Sequence, residues 1–299
     1  MLDIDAYSDR KARSADMAQY IGSEVLPERP EFKKLHHNIR HCASQLVFHD
    51  YYTIDKNLLV GAITCKKHLL CPFCAVRRGV KMIEKNLPRI EQAMQENQHL
   101  IPVLVTLTVS NGHDLRERFT HLTRSLRELN RRRRNCLQGQ KWTEWARVAG
   151  AVRAIEVTNK GEGWHPHAHI LCLVDSWIDR DALQDEWHAI TGDSYIVDVR
   201  RIKPKNTETG GLSIEAGLGE VFKYAVKFSD MPEDLTWHAY ETLRGKRLVD
   251  SFGVLRGIEV PESLTDDPLE GLPYMELFYQ YMPHKRSYEL SEARQHQGT

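Results

Sequence analysis

No stretch of this chain approaches the roughly 20 consecutive apolar residues that a membrane-spanning helix requires, which excludes a helical membrane protein. The opening residues, MLDIDAYSDRKARSAD, are polar with acids at the start and lack the basic-then-apolar order of a secretory signal. A cytoplasmic protein with no membrane partner is therefore expected. No Gly-x-x-x-x-Gly-Lys-Ser/Thr pattern occurs, which excludes a Walker-type ATP site. Cysteine is scarce, with six in 299 residues, and an excess of one charge is absent, with 41 basic and 41 acidic residues. At 41% hydrophobic and 27% charged, the chain can build a sizeable core without disulfide staples.

The neutral total hides two opposed segments. From Leu115 to Arg153 there are eleven Lys and Arg against three acids, including Arg131-Arg132-Arg133-Arg134. From Glu259 to Pro283 there are six acids and no Lys or Arg. A bipolar chain of this kind can bind a polyanion on one face. Trp142 and Trp145 follow the arginine run, and aromatics beside cations suit single-stranded DNA. The same run also reads as a solvated helix end.

Periodicity gives the elements. Val76, Val80, Ile83 and Leu87 recur at helical spacing up to Pro88, where the helix is expected to end. Val103 to Val109 is rich in β-branched residues and stops at Asn111-Gly112, a strand and turn. Leu115, Phe119, Leu122, Leu126 and Leu129 form one apolar helix face. Strands are expected near Val152–Thr158, His165–Val174 and Tyr195–Arg200, a helix around Leu183, Trp187 and Ile190, a loop from Lys203 to Gly217, and a helix from about Leu218 to Phe228. This order predicts an α+β fold, a central antiparallel sheet with flanking helices. Residues 1–30 read as a weakly ordered lead, 31–100 as a zinc-binding subdomain, 101–258 as the catalytic domain and 259–299 as an acidic tail.

Three motifs carry chemistry. On the strand His165-Pro166-His167-Ala168-His169, alternation points His167 and His169 the same way, about 7 Å apart at Cα. Glu156 lies on the preceding strand and reaches them if the two pair as a hairpin. Imidazoles with one carboxylate and open positions suit Mg²⁺ or Mn²⁺ acting on phosphate. His165 competes as third ligand, although Pro166 turns the chain beside it. In Glu220-Val-Phe-Lys-Tyr224-Ala-Val-Lys227, residues 220, 224 and 227 fall within about 60° of one another on a helix. Tyr224 then suits a nucleophile, Lys227 a charge stabiliser and Glu220 a base. Cys42, Cys65, Cys71 and Cys74 fit a closed thiolate site for structural Zn²⁺, with His41 or His68 as substitutes for one thiol. A redox pair at Cys71-Pro-Phe-Cys74 is the competing reading, without the βαβ surround such pairs have.

Together, the histidine strand and the later Tyr-x-x-Lys helix resemble the HUH endonucleases, and the cysteine cluster resembles the single-tyrosine plasmid rolling-circle initiators among them. The motifs here are Val105-Thr-Leu-Thr-Val-Ser-Asn111, His165 to Leu171 and Glu220 to Lys227, with Leu243 to Leu248 as a further segment; the likeness spans Cys42 to Gly257. The resemblance implies an HUH fold and origin-specific, metal-dependent nicking and joining of plasmid DNA. His167, His169 and Glu156 would hold the metal. Tyr224 would form a 5′-phosphotyrosine link, and Glu220 would activate water for terminating hydrolysis. A host helicase and polymerase would complete replication. A transposase or relaxase uses the same chemistry. A zinc-dependent DNA-binding regulator without catalysis would explain the cysteines and arginines, but not the other two motifs.

Overall fold

The computed structural model describes residues 2–203, 205–206, 212–224, 231–256, 269 and 272–297. In chain order these form α1 (Ile4–Tyr20), α2 (Lys33–His41), β1 (Gln45–Tyr51), β2 (Lys56–Ala62), α3 (Pro72–Glu96), β3 (Ile101–Thr108), α4 (Leu115–Leu137), β4 (Val148–Asn159) and β5 (Trp164–Val174). Then follow α5 (Arg180–Thr191), β6 (Val197–Arg201), the two-residue β7 (Lys205–Asn206) and β8 (Leu212–Ser213), α6 (Glu215–Tyr224), α7 (Glu233–Leu243), β9 (Val249–Gly253), β10 (Tyr274–Met282) and β11 (Ser287–His296). The class is α+β, as the order of motifs predicts. No helix among the described residues is long and apolar enough to cross a membrane.

Two compact units divide the chain. The first takes the described residues of Met1–Arg77, Pro232–Trp237 and Pro261–Thr299; the second takes those of Arg78–Met231 and His238–Val260. In the first, an antiparallel sheet runs β11-β10-β1-β2. The opening segment is not a weakly ordered lead. Asp3 caps α1 by accepting from the Ala6 amide at 3.1 Å, which satisfies one of the free N–H groups of a first turn. Its buried face includes Ser8, Lys11 and Ser14, so hydrophobic spacing understates it. The final segment is likewise no simple acidic tail, because its described part pairs as β10 and β11 along β1. Arg286 grips Asp16 of α1 with two bonds of 2.7 and 2.8 Å. The Tyr288 amide donates to Ser8 Oγ at 3.1 Å, and its hydroxyl to the Ala43 carbonyl.

The second unit holds a five-stranded antiparallel sheet in the order β6-β3-β5-β4-β9. Leu104, Val152, Ala154, Leu171 and Leu173 on one face pack with Ile90 and Ala93 of α3 and with Leu218, Val221 and Phe222 of α6. That core explains why α3 continues past Pro88 to Glu96. Proline removes one helical N–H, but Ile90 and Ala93 are 0% and 1% exposed, and burying them outweighs the lost bond. Gly217 lets α6 approach, since a Cβ there would lie 2.6 Å from the Ile202 side chain. The helix begins at Glu215, inside the stretch expected to be loop. Residues 225–230, the expected end of that helix, lie outside the described residues.

Candidate active site and metal centres

The β4–β5 hairpin sets the first site through register. Glu156 stands opposite His167, and Ala154 opposite His169. Side chains alternate along a strand, so Glu156, His167 and His169 share the face that carries Val152, Ala154 and Leu171. Gly163 closes the turn at φ +93°, and a Cβ there would come 2.8 Å from the Gly112 carbonyl oxygen; only glycine meets both demands.

One oxygen, Glu156 Oε2, lies 2.8 Å from His167 Nε2 and 3.2 Å from His169 Nε2. Glu156 is 2% exposed. Burial opposes its charge, yet bonds from the two histidines outweigh burial and hold its carboxyl below the ordinary range. Behind the ligating atoms, His167 Nδ1 faces the His165 carbonyl at 3.2 Å and His169 Nδ1 faces Thr106 Oγ1 at 3.2 Å. The carbonyl can only accept, so His167 Nδ1 donates to it, while Nε2 faces the Glu156 carboxylate. A carboxylate oxygen and two imidazole nitrogens so placed suit a divalent cation, with each Nδ1 held from behind in the way that orients metal-binding histidines. These three residues form one of the two metal-capable clusters among the described residues. His165 is outside it; its Nδ1 is 2.6 Å from Asn111 Oδ1.

Helix α6 packs over β4 and β5. Its buried Leu218, Val221 and Phe222 join the core on the face that carries the triad, and Glu220 is partly buried. Tyr224 is the last residue of the helix; its side chain, and all of Lys227, lie outside the described residues. Sequence reasoning missed Thr106 as a support for His169, although it sits inside the singled-out segment Val105 to Asn111. Pairing of Thr106 with His169 across β3 and β5 is the signal that places it.

The second cluster is Cys42, Cys65, Cys71 and Cys74, without His41 or His68. Its sulfurs lie 3.5 Å apart for Cys42–Cys74 and Cys65–Cys74, and 3.6 Å for Cys42–Cys71. A Zn–S bond of about 2.3 Å gives tetrahedral edges of about 3.8 Å, so the four suit a structural zinc. Hydrogen bonding with Cys42 and Cys65 holds the Cys71 and Cys74 thiols below their ordinary range. The amides of Cys65 and Lys67 donate to the Cys42 and Cys65 sulfurs at 3.3 and 3.5 Å. Helix α1 supplies Ser14 Oγ at 3.2 Å from Cys71 Sγ. It also supplies buried Lys11, bonded to the Arg40 carbonyl at 2.7 Å. Burial lowers the Lys11 pKa, while the cysteines raise it.

The tryptophans divide. Trp142 is 58% exposed, with the Arg147 guanidinium 5.2 Å from its ring centre. Trp145 is 1% exposed and donates to Asn130 at 3.0 Å, so it is core and no stacking platform. In the arginine run, Arg131 and Arg132 pair with Glu128, whereas Arg133 turns inward to the Val148 carbonyl.

Residues 56–276 match the model of a family described as replication protein, well over half of the chain. The chain belongs to the replication protein family. The match runs past Gly257 into β10. Proteins named Protein rep are similar along the chain. One from Streptococcus pneumoniae is 29% identical over 56% of this chain and 53% of its own length. One from Bacillus sp is 27% identical over 79% and 83%, and one from Bacillus amyloliquefaciens 27% over 86% and 82%. The chain thus spans about half the length of the first relative and most of the other two. No solved structure matches it.

Proposed function

We propose that this chain initiates rolling-circle replication of a plasmid by nicking one DNA strand at the origin and rejoining it. The observation that carries the reading is the Glu156–His167–His169 cluster on the sheet face where α6, the helix of Glu220 and Tyr224, is packed. The activity is assigned to residues 101–258, and a zinc-binding scaffold to 31–100.

Tyr224 Oη attacks the scissile phosphorus, and the bond to the 3′ oxygen breaks. The products are a 5′-phosphotyrosine link and a free 3′-hydroxyl, which takes up one proton to balance the one the tyrosine hydroxyl releases, and which primes synthesis. Lys227 offsets the charge of phenolate and phosphate. Glu156, His167 and His169 would hold a divalent ion, Mg²⁺ or Mn²⁺, which when bound would supply Lewis-acid polarisation of the phosphate. Glu220, one helical turn before Tyr224, takes a proton from water to hydrolyse the link and end the cycle. A host helicase and polymerase supply strand separation and synthesis, since the sequence carries no Walker motif.

The test is a time course of phosphotyrosine adduct on origin-containing single-stranded DNA with Mn²⁺. Tyr224→Phe should form no adduct. Glu220→Ala should form it and accumulate it, with hydrolysis slowed about 10²–10⁴-fold. Equal failure of both variants at the first nick would remove Glu220 from the terminating step; adduct with Tyr224→Phe would overturn the mechanism.

A further inference from the structure

A groove of about 870 Å³ opens in the second unit between α4, the end of α7, β9 and the Arg153 position of β4. Eight arginines and one lysine line it, against a single acid, Asp250. That acid is shared by Arg153 at 3.3 Å and Arg247 at 3.5 Å. Arg116, Arg124, Arg127, Arg134 and Lys246 are exposed and form no ion pair with a carboxylate among the described residues. Like charges so concentrated repel one another and destabilise a fold unless an anion joins them.

The groove also contains an unfilled donor. The Arg153 side chain is 16% exposed, and its Nη1 is buried with no hydrogen-bond partner. A buried guanidinium N–H without an acceptor is costly, and phosphate oxygens match its fork. Burial pushes the Arg153 pKa down, Asp250 opposes this, and the neighbouring Arg127 and Arg247 add to the lowering.

Alternation along β4 separates the groove from the metal-capable triad. Val152, Ala154 and Glu156 face α6, so Arg153 points to the other face of the sheet. We propose that this basic groove is a second DNA site, which holds the phosphate backbone of duplex DNA without reading its sequence. The inference goes beyond the nicking reading and does not depend on it.

Duplex is favoured over single strand by what the groove lacks. Single-strand sites stack bases on aromatic faces. Here Phe119 is 7% exposed, and the Phe252 ring lies under the Arg133 guanidinium at 5.3 Å. Arg133 is itself fixed by the Val148 and Ala149 carbonyls at 2.7 and 3.3 Å. The groove therefore offers nine cationic side chains to phosphates, and of its two rings Phe119 is buried and Phe252 is already stacked by Arg133.

The experiment is fluorescence anisotropy of a labelled duplex oligonucleotide of arbitrary sequence, with one of its strands alone as comparison. The full chain is used with no divalent ion added, so that no cleavage intervenes while the structural metal is kept, over a salt series. The double variant Arg127→Ala with Lys246→Ala should weaken duplex binding and reduce the log–log salt slope by about two, one for each phosphate contact removed. The second pair, Arg116→Ala with Arg124→Ala, should do the same, and Arg180→Ala on α5, outside the groove, should change neither. All replaced side chains are exposed, and thermal unfolding midpoints check that folding is intact. Unchanged duplex affinity and slope in both pairs would overturn the proposal. Loss of single-strand binding with duplex binding spared would overturn it too, and would assign the groove to the unpaired strand. A wild-type chain that binds duplex through the groove but never nicks would refute the nicking reading alone.

Discussion

Cys42, Cys65, Cys71 and Cys74 supply four sulfurs, all under 10% exposed, whereas Glu156, His167 and His169 form a cluster of three donors, with His167 13% exposed at its side chain. Four thiolates complete a tetrahedron and leave no position for substrate, while three nitrogen and oxygen donors leave coordination sites open. The two clusters are also built differently. Loop amides and the polar face of α1 hold the cysteines; strand register and one threonine hold the histidines. A closed set of four thiols suits a folding role and an open set of three donors suits chemistry, and each proposed role can be broken separately.

The largest effect is expected from Cys71→Ser. Zinc content should fall from about one ion per chain, and the first unit should lose cooperative unfolding, because metal binding in such sites is folding free energy, about 10–16 kcal/mol in zinc-finger peptides. A zinc-free variant with unchanged calorimetric unfolding would remove the structural role. His169→Ala should act in the opposite sense. DNA cleavage should disappear, whereas DNA affinity at fixed salt should stay near wild type, since affinity comes mainly from basic contacts. A parallel loss of binding, measured by anisotropy, would show that His169 is part of the DNA surface and not of a metal site.

Thr106→Val sharpens the contrast at intermediate scale. It removes the hydroxyl 3.2 Å from His169 Nδ1 but keeps the shape, and loss of such a support typically costs about 10–100-fold in metal affinity. Titration of cleavage with Mn²⁺ should show a higher metal requirement and a maximal rate close to wild type. The smallest effect belongs to Ser14→Ala, which deletes the 3.2 Å contact to Cys71 Sγ. About 1 kcal/mol of stability should be lost, the usual worth of one hydrogen bond, with zinc still bound.

Where local pattern decided the structure, the sequence was readable. The alternating histidines of β5 and the four cysteines announced their clusters because ligand chemistry demands those residue types at those spacings. The apolar face of α4 and the β-branched β3 followed from periodicity alone. What stayed hidden depends on contacts distant in sequence. Helix α1 buries Ser8, Lys11 and Ser14 toward partners such as Tyr288 and Cys71, so its buried face looks like surface. The acids counted in the last segment masked β10, whose pairing with β1 spans most of the chain, and β11, which pairs with β10. Pro88 suggested an end to α3 that the burial of Ile90 and Ala93 overrides. Trp142 and Trp145 looked alike in sequence, yet only the hydrogen bond to Asn130 and near-complete burial reveal the second as core.

The central claim is that Glu156, His167 and His169 form a metal-dependent nicking centre serving Tyr224. A single gel tests it most directly. Wild-type chain, His169→Ala and Tyr224→Phe are each incubated with labelled origin single-stranded DNA, with and without Mn²⁺ after chelation, and the covalent protein–DNA band is measured. The account predicts a band for wild type with Mn²⁺ and none in any other lane. A band that survives chelation in the wild-type lane, or that forms with Tyr224→Phe, would contradict it.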